Sequence, residues 1–137
     1  MNKQSRTETK IKYYRRLKNI TQEELAKRVG TTRDVILAIE NGFKTKKRLF
    51  YDKDIINKII DVLEMRDKFG KSDTYIRFLA EDGYLQLKEY RIKNNLTIVA
   101  FAEMMGVNRS TIRRWENNEM TISIDNYLKF KKIRASR

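Results

Sequence analysis

GVNRSTIRRWENN, Gly106–Asn118, decides how the rest of the chain is read. With a helix beginning after Asn108 and ~100° of rotation per residue, Ile112 and Trp115 fall on one side. Ser110, Arg113 and Arg114 fall on the opposite side, and Arg109 stands at the exposed first turn. One face is apolar and suited to packing. The other carries guanidinium forks and a hydroxyl, the groups that pair with guanine edges and phosphates in a major groove. Gly106 can take the left-handed conformation that ends the preceding helix, and Asn108 can cap the next. A helix, a tight glycine turn and a basic helix are the parts of a double-stranded DNA reader.

Composition agrees with that reading. The chain has 137 residues, room for one ordinary domain or two small ones. Lys and Arg number 31 against 18 Asp and Glu, a formal charge of +13 at pH 7. Such a surplus points to a polyanionic partner, because neutralised phosphates release condensed counterions. Basicity that serves solubility alone is the plain alternative. The sequence has no Cys and no His. Disulfides, thiolate sites, the usual zinc-ligand sets and the commonest general base are thereby missing. The carboxylates are scattered with no paired site, so no hydrolase or nuclease constellation is visible. A non-enzymatic chain without cofactor or metal is the expectation. No apolar run approaches the ~20 residues of a membrane span. MNKQSRTETK has no apolar core of a signal peptide, which leads to a cytoplasmic expectation. The absence of Pro and the rarity of β-branched alternation favour an all-α fold.

Taken in order, the chain opens on polar residues in which Lys3 and Arg6 could trail along a phosphate backbone. A helix is expected from Glu8 to Lys18, with Ile11 and Tyr14 inward. Thr21 and Glu24 then form a capping box; Leu25, Ala26 and Val29 make an inner face, and Gly30 closes the helix. Thr32 can cap the next helix, whose inner side is Ile36 and Ile39. A basic loop, NGFKTKKR, leads to a helix from Asp54 to Glu64.

This segment returns later in the chain. Lys12, Tyr14, Arg15, Asn19, Thr21, Ala26 and Gly30 fall on Lys88, Tyr90, Arg91, Asn95, Thr97, Ala102 and Gly106 at a constant offset. Arg33, Ile36, Glu40 and Asn41 fall on Arg109, Ile112, Glu116 and Asn117 at the same offset. Leu25 meets Phe101, Val29 meets Met105 and Ile39 meets Trp115, apolar for apolar. Agreement at glycine, caps and core together implies two copies of one folding unit. The expected organisation is therefore a first module over 1–64, a connector over 65–83 and a second module with a basic tail over 84–137. In the connector, Phe69–Ser72 reads as a turn and Asp73–Glu81 as a short helix bearing Tyr75, Ile76, Phe78 and Leu79. A flexible tether has no use for that apolar content, so the connector should pack and fix the two modules relative to each other. In the second module helices are expected over Tyr84–Asn94, Ile98–Met105 and Ser123–Ile133. The terminal KFKKIRASR reads either as a solvated tail or as a DNA-contacting arm.

ITQEELAKRVGTTRDVILAIENG and LTIVAFAEMMGVNRSTIRRWENN together resemble the Xre/Cro family of phage and bacterial repressors. VGTT and the following KTKKR are especially similar to the lambdoid phage repressors. The resemblance implies two tandem lambda-repressor-like helix-turn-helix domains of five helices each, joined by a short, partly helical connector. In that family the third helix lies in the major groove. Asn108, Arg109, Ser110, Thr111, Arg113 and Arg114 would then face bases and flanking phosphates. The family's glutamine at the start of the second helix anchors a phosphate; Gln22 stands there in the first module, Ile98 in the second. Asn41 and Asn117 match the asparagine that approaches phosphate after the recognition helix. The resemblance also suggests the ion pairs Arg15–Glu40 and Arg91–Glu116, as structural pins.

The copies are not equivalent as readers. On the first module's third helix, Asp34, Leu37 and Ala38 take the places of Ser110, Arg113 and Arg114, leaving Thr32 and Arg33 as donors. An aspartate can accept from cytosine N4, but such a face makes no guanine fork from those positions. The second module is therefore expected to supply most base readout. The first would grip phosphates through Gln22, Lys44, Lys46, Lys47 and Arg48, or contact a protein through Val35 and Leu37. The reading that results is a sequence-specific regulator of transcription, of the repressor kind found on phages and mobile elements. Its partner is double-stranded DNA; no membrane and no metal enter, and a homodimer or protein partner would engage the first module. An antitoxin-like or inhibitor adaptor, bound to protein by its first module and to DNA by its second, is the alternative.

Overall fold

In the computed structural model, residues 9–44, 53–66 and 74–136 are described. They contain nine helices and no strand: α1 (Ile11–Leu17), α2 (Gln22–Val29), α3 (Arg33–Glu40), α4 (Lys53–Val62), α5 (Thr74–Ala80), α6 (Gly83–Lys93), α7 (Ile98–Met105), α8 (Arg109–Glu116) and α9 (Ile124–Ala135). The all-α fold of two tandem helix-turn-helix units is thus what the chain adopts. Among the described residues no helix is long and apolar enough to cross a membrane. The readings of Lys3, Arg6, Lys46, Lys47, Arg48 and the Phe69–Ser72 turn lie outside the described residues.

Local signals set the boundaries. Thr21 and Glu24 form the reciprocal capping box, at 3.0 and 3.2 Å. Gly30 and Gly106 end α2 and α7 in the left-handed region, at φ 79° and 68°. Asn19 and Asn95 repeat the left-handed turn after α1 and α6, at φ 54° and 55°. Repetition in sequence is repetition in backbone. Helix α1 begins later than expected, at Ile11, and Lys10 at its cap position makes no side-chain capping bond. Thr9 instead donates its hydroxyl to the carbonyls of Ile39 and Glu40, tying the chain's entry to the end of α3.

The modules solve the same packing problem with different chemistry. Around α1–α4 the core is aliphatic: Ile11, Leu25, Val29, Ile36, Ile39, Ile56, Ile59 and Ile60 are all sealed from solvent. Around α6–α9 it is aromatic. Phe130 lies 5.4 Å from Tyr90, 6.0 Å from Phe78 and 6.2 Å from Phe101, ring centre to ring centre. Offset and edge-on rings at such distances add to the burial itself.

Helix α5 serves both cores. It packs on α4 on one side and on α6 on the other. Phe78 reaches Tyr127 of α9 at 4.8 Å, and the Tyr75 hydroxyl donates to the Ile122 carbonyl at 2.7 Å. Tyr75, Ile76, Phe78 and Leu79 are all buried, as their spacing led one to expect. The modules also touch directly: the Ile124 amide donates to the Gly42 carbonyl at 2.8 Å. Lys53 and Asp82 pair across the same junction at 3.0 Å. One continuous apolar core results.

The basic C-terminal stretch is neither free tail nor loose arm through residue 136. It is the end of α9, with Arg134 bonded to Gln86 at 3.1 Å and stacked over the Phe130 ring. Lys131 reaches Thr74 on α5 at 3.3 Å.

Gly83 makes the junction testable. A Cβ at this position would overlap the Phe78 ring, which packs against Tyr127 and Phe130. Gly83→Ala is expected to cost ~1–3 kcal/mol through overpacking, read as a lower urea midpoint. An unchanged midpoint would mean that the α5–α6 corner is slack.

Candidate nucleic-acid interface

Helix α8 is held from behind and free in front. Ile112 and Trp115 are buried, whereas Arg109, Ser110 and Arg113 are exposed and Thr111 and Arg114 half-buried. Thr97 caps α7 by accepting from the Ala100 amide at 3.0 Å, and Gly106 turns the chain into α8. Among the described residues the guanidinium groups of Arg109, Arg113 and Arg114 donate to no acceptor. Three cations on one short helix, none paired with an acid among the described residues, present a strong positive field to solvent.

Asn108 departs from expectation. It occupies the cap position with extended backbone, φ −72° and ψ 151°, yet its side chain makes no capping bond. The Asn108 carbonyl alone serves the first turn, accepting from Thr111 at 3.0 Å and from Ile112 at 3.3 Å. An exposed amide thus stands beside Arg109, uncommitted to the helix it precedes.

Helix α3 presents a different front. Thr32 does cap it, accepting from Val35 at 3.3 Å, and Arg33, Asp34 and Leu37 are exposed. Two placements from the helical wheel need correction. Ala38 is buried, not outward; Arg114 at the same repeat position is half-buried, so this position borders the packed face. Val35 is half-buried and packed against the core, which separates it from Leu37, 42% exposed. Leu37 is therefore the apolar residue that α3 turns to solvent.

Helices α3 and α8 are each pinned by the glutamate that ends them. Arg15 donates to Glu40 at 2.6 and 3.3 Å and to the Ile20 carbonyl at 2.9 Å. Arg91 repeats this with Glu116 at 2.7 and 3.0 Å and with the Leu96 carbonyl at 3.1 Å. The hydrogen bond to Glu116 raises Arg91 above the ordinary arginine value, against burial, which lowers it. Both pairs are two-pronged and mostly hidden from water, so they fix helix direction as well as distance.

Gln22 has a role that family resemblance alone did not reveal. Its amide nitrogen donates to Glu40 at 3.0 Å, and its amide oxygen accepts from Arg33 Nε at 3.1 Å. A signal existed in the sequence: Gln22 faces Ile98 across the repeat, a mismatch amid matched positions. Of the other phosphate candidates, Asn41 and Lys44 are exposed, and Asn117 donates to Glu119 at 3.2 Å.

Comparison with known proteins adds to this geometry. The helix-turn-helix family model matches residues 11–49 and 87–130, the segments built around α2–α3 and α7–α8. The chain belongs to the Xre/Cro helix-turn-helix family. An uncharacterised HTH-type transcriptional regulator of Methanocaldococcus jannaschii is 61% identical over 33 residues, 24% of this chain and 50% of the relative. The chain thus spans about half the length of that curated relative. No solved structure matches. Two helix-turn-helix modules are thus what this Xre/Cro chain is built from.

Proposed function

We propose that this chain is a sequence-specific repressor of a phage or mobile element, acting as a covalent pseudo-dimer on an asymmetric operator. The modules divide as 1–64 and 84–137, with 65–83 between them. The observation that carries the reading is the front of α8, where Arg109, Ser110 and Arg113 are exposed over a buried Ile112 and Trp115. Asn108, Thr111 and Arg114 border that front and complete the base-reading set with Arg33 and Asp34 of α3 and its cap, Thr32. Phosphate contacts come from Lys44, Asn41 and Asn117. Half-sites in dimers of this kind lie about one helical turn, ~34 Å, apart. Unequal fronts on α3 and α8 read unequal half-sites.

Selection of bound duplexes from a random pool tests the reading directly. A consensus with one strong half-site and a dissimilar neighbour is the expected product. Arg109→Ala or Arg114→Ala should then cost ~1–3 kcal/mol on the selected duplex and blur preference at one or two base pairs. Equal loss on selected and random duplexes would reduce these arginines to phosphate contacts.

Leu37 supports a second reading. A leucine on the outer side of α3, in the place of Arg113, suits a protein partner better than a phosphate. Leu37→Asp separates the two: unchanged DNA affinity with loss of a host partner favours the adaptor.

A further inference from the structure

Helices α6 and α9 frame a cleft of about 360 Å³, lined by Gln86, Glu89, Tyr90, Lys93, Asn94 and Arg134. That volume suits a small metabolite. Tyr90 is only 8% exposed, and its hydroxyl is buried with no hydrogen-bond partner among the described residues. The ring that carries it is fixed, 5.4 Å from Phe130 and 5.9 Å from Phe101 between centres. A buried hydroxyl left unpaired costs stability, so it calls for a reason beyond packing.

Around Tyr90 opposite charges are gathered but not joined. Glu89 and Lys93 stand one turn apart on α6, neighbours on its surface, yet neither forms an ion pair among the described residues. Arg134 reaches in from α9, held by its bond to Gln86 at 3.1 Å and by stacking over Phe130 at 4.8 Å. Gln86 is anchored in turn, its nitrogen donating to the Glu81 carbonyl at 3.1 Å. One carboxylate, two cations and a phenolic donor therefore line a single cleft. The first module does not repeat the set. Tyr13 and Leu17 stand where Glu89 and Lys93 do, Lys10 replaces Gln86, and Tyr14, the counterpart of Tyr90, is half-buried. The shared scaffold thus has no need of these residues.

We infer that the cleft between α6 and α9 binds a free α-amino acid with a polar side chain. Its ammonium pairs with Glu89, its carboxylate with Lys93 and Arg134, and the Tyr90 hydroxyl donates to one of its oxygens. Gln86 and Asn94 supply amides for the polar side chain. A plain anion would meet Glu89 as a like charge, and an apolar molecule would desolvate the charged rim without pairing it. Occupancy also bears on α8, because Arg91, next to Tyr90 on α6, holds Glu116 at 2.7 and 3.0 Å. A ligand that bridges α6 to α9 favours the arrangement in which this frame is closed, and raises affinity for DNA. That consequence rests on the proposed reading of DNA by α8; binding of the amino acid does not.

Thermal unfolding of the full chain is followed with each of the common α-amino acids at millimolar concentration. One or a few with polar side chains should raise Tm, and calorimetric titration then gives Kd. N-acetylation of that amino acid, or amidation of its carboxylate, should each weaken binding at least about tenfold, as should Glu89→Gln and Lys93→Gln. Tyr90→Phe should weaken binding too, while the unliganded Tm stays level or rises, because an unpaired buried hydroxyl is removed. A lower unliganded Tm in Tyr90→Phe would make the hydroxyl a structural bond and overturn the assignment. A Tm that no amino acid raises overturns it, and so does a rise that persists undiminished in both Glu89→Gln and Lys93→Gln. The duplex selected from a random pool is then titrated with and without saturating amino acid. Tighter binding is expected, and an unchanged affinity would overturn the coupling to α8. A pool that yields no consensus defeats the reading of DNA and leaves the binding result standing.

Discussion

Replacing Glu40 with Ala is expected to lower folding stability by about 3–5 kcal/mol, because it strands a buried guanidinium. The Arg15 side chain is 11% exposed and the Glu40 side chain 2%, so water cannot take the place of the lost carboxylate. The Gln22 nitrogen loses its acceptor at the same stroke. Glu116→Ala should be milder: Arg91 is slightly more exposed and no glutamine depends on that carboxylate. Urea unfolding followed by helical circular dichroism gives both values. The pair Arg15→Met with Glu40→Leu is expected to recover much of the loss, because apolar replacements of a buried ion pair are often neutral. A loss below about 1 kcal/mol for Glu40→Ala would place the pin among ordinary surface pairs and remove it as the support of α3.

Affinity for DNA is expected to fall roughly 10³–10⁵-fold between 50 and 200 mM salt, the range for readers that neutralise six to ten phosphates. The formal charge of +13 supplies the cations. Their distribution supplies the argument: Arg109, Arg113 and Lys44 lie exposed on or beside the recognition helices, while Arg134 and Lys131 are bonded back to α6 and α5. Titrations at several salt concentrations give the slope, at about −0.9 per phosphate neutralised. Arg113→Ala should make the slope shallower by about 1 if that residue holds phosphate. A flat profile would leave the charge surplus without a role in binding.

Much of this architecture could be read from the sequence, and what could be read was local or repeated. The capping box of Thr21 and Glu24 spans one turn, and the glycines at 30 and 106 are required by backbone sterics. The pins were legible through the family resemblance, which pairs Arg15 with Glu40 and Arg91 with Glu116; the offset shows only that the four residues recur at matching positions. What escaped depends on choices among near-equal local options. Asn108 had a capping geometry within reach but leaves its side chain out of it, a rotamer decision invisible in the sequence. The inward turn of Ala38 and the half-burial of Val35 fall within the angular error of a wheel drawn on so short a helix. The Gln22 bridge needs three segments at hydrogen-bond distance, which no spacing rule encodes. The bond between Gly42 and Ile124 joins backbone to backbone and leaves no mark on side-chain chemistry.

That last contact, with α5 wedged into both halves, alters how such a protein responds to scarcity. Two-subunit readers come apart when diluted, and occupancy of their sites then falls with the square of concentration. Here the halves cannot be diluted from one another, since a shared interior and a continuous polypeptide hold them. Under the proposed pseudo-dimer reading, a cell containing a few copies would keep every copy fully assembled, and the response to dosage would be linear rather than cooperative.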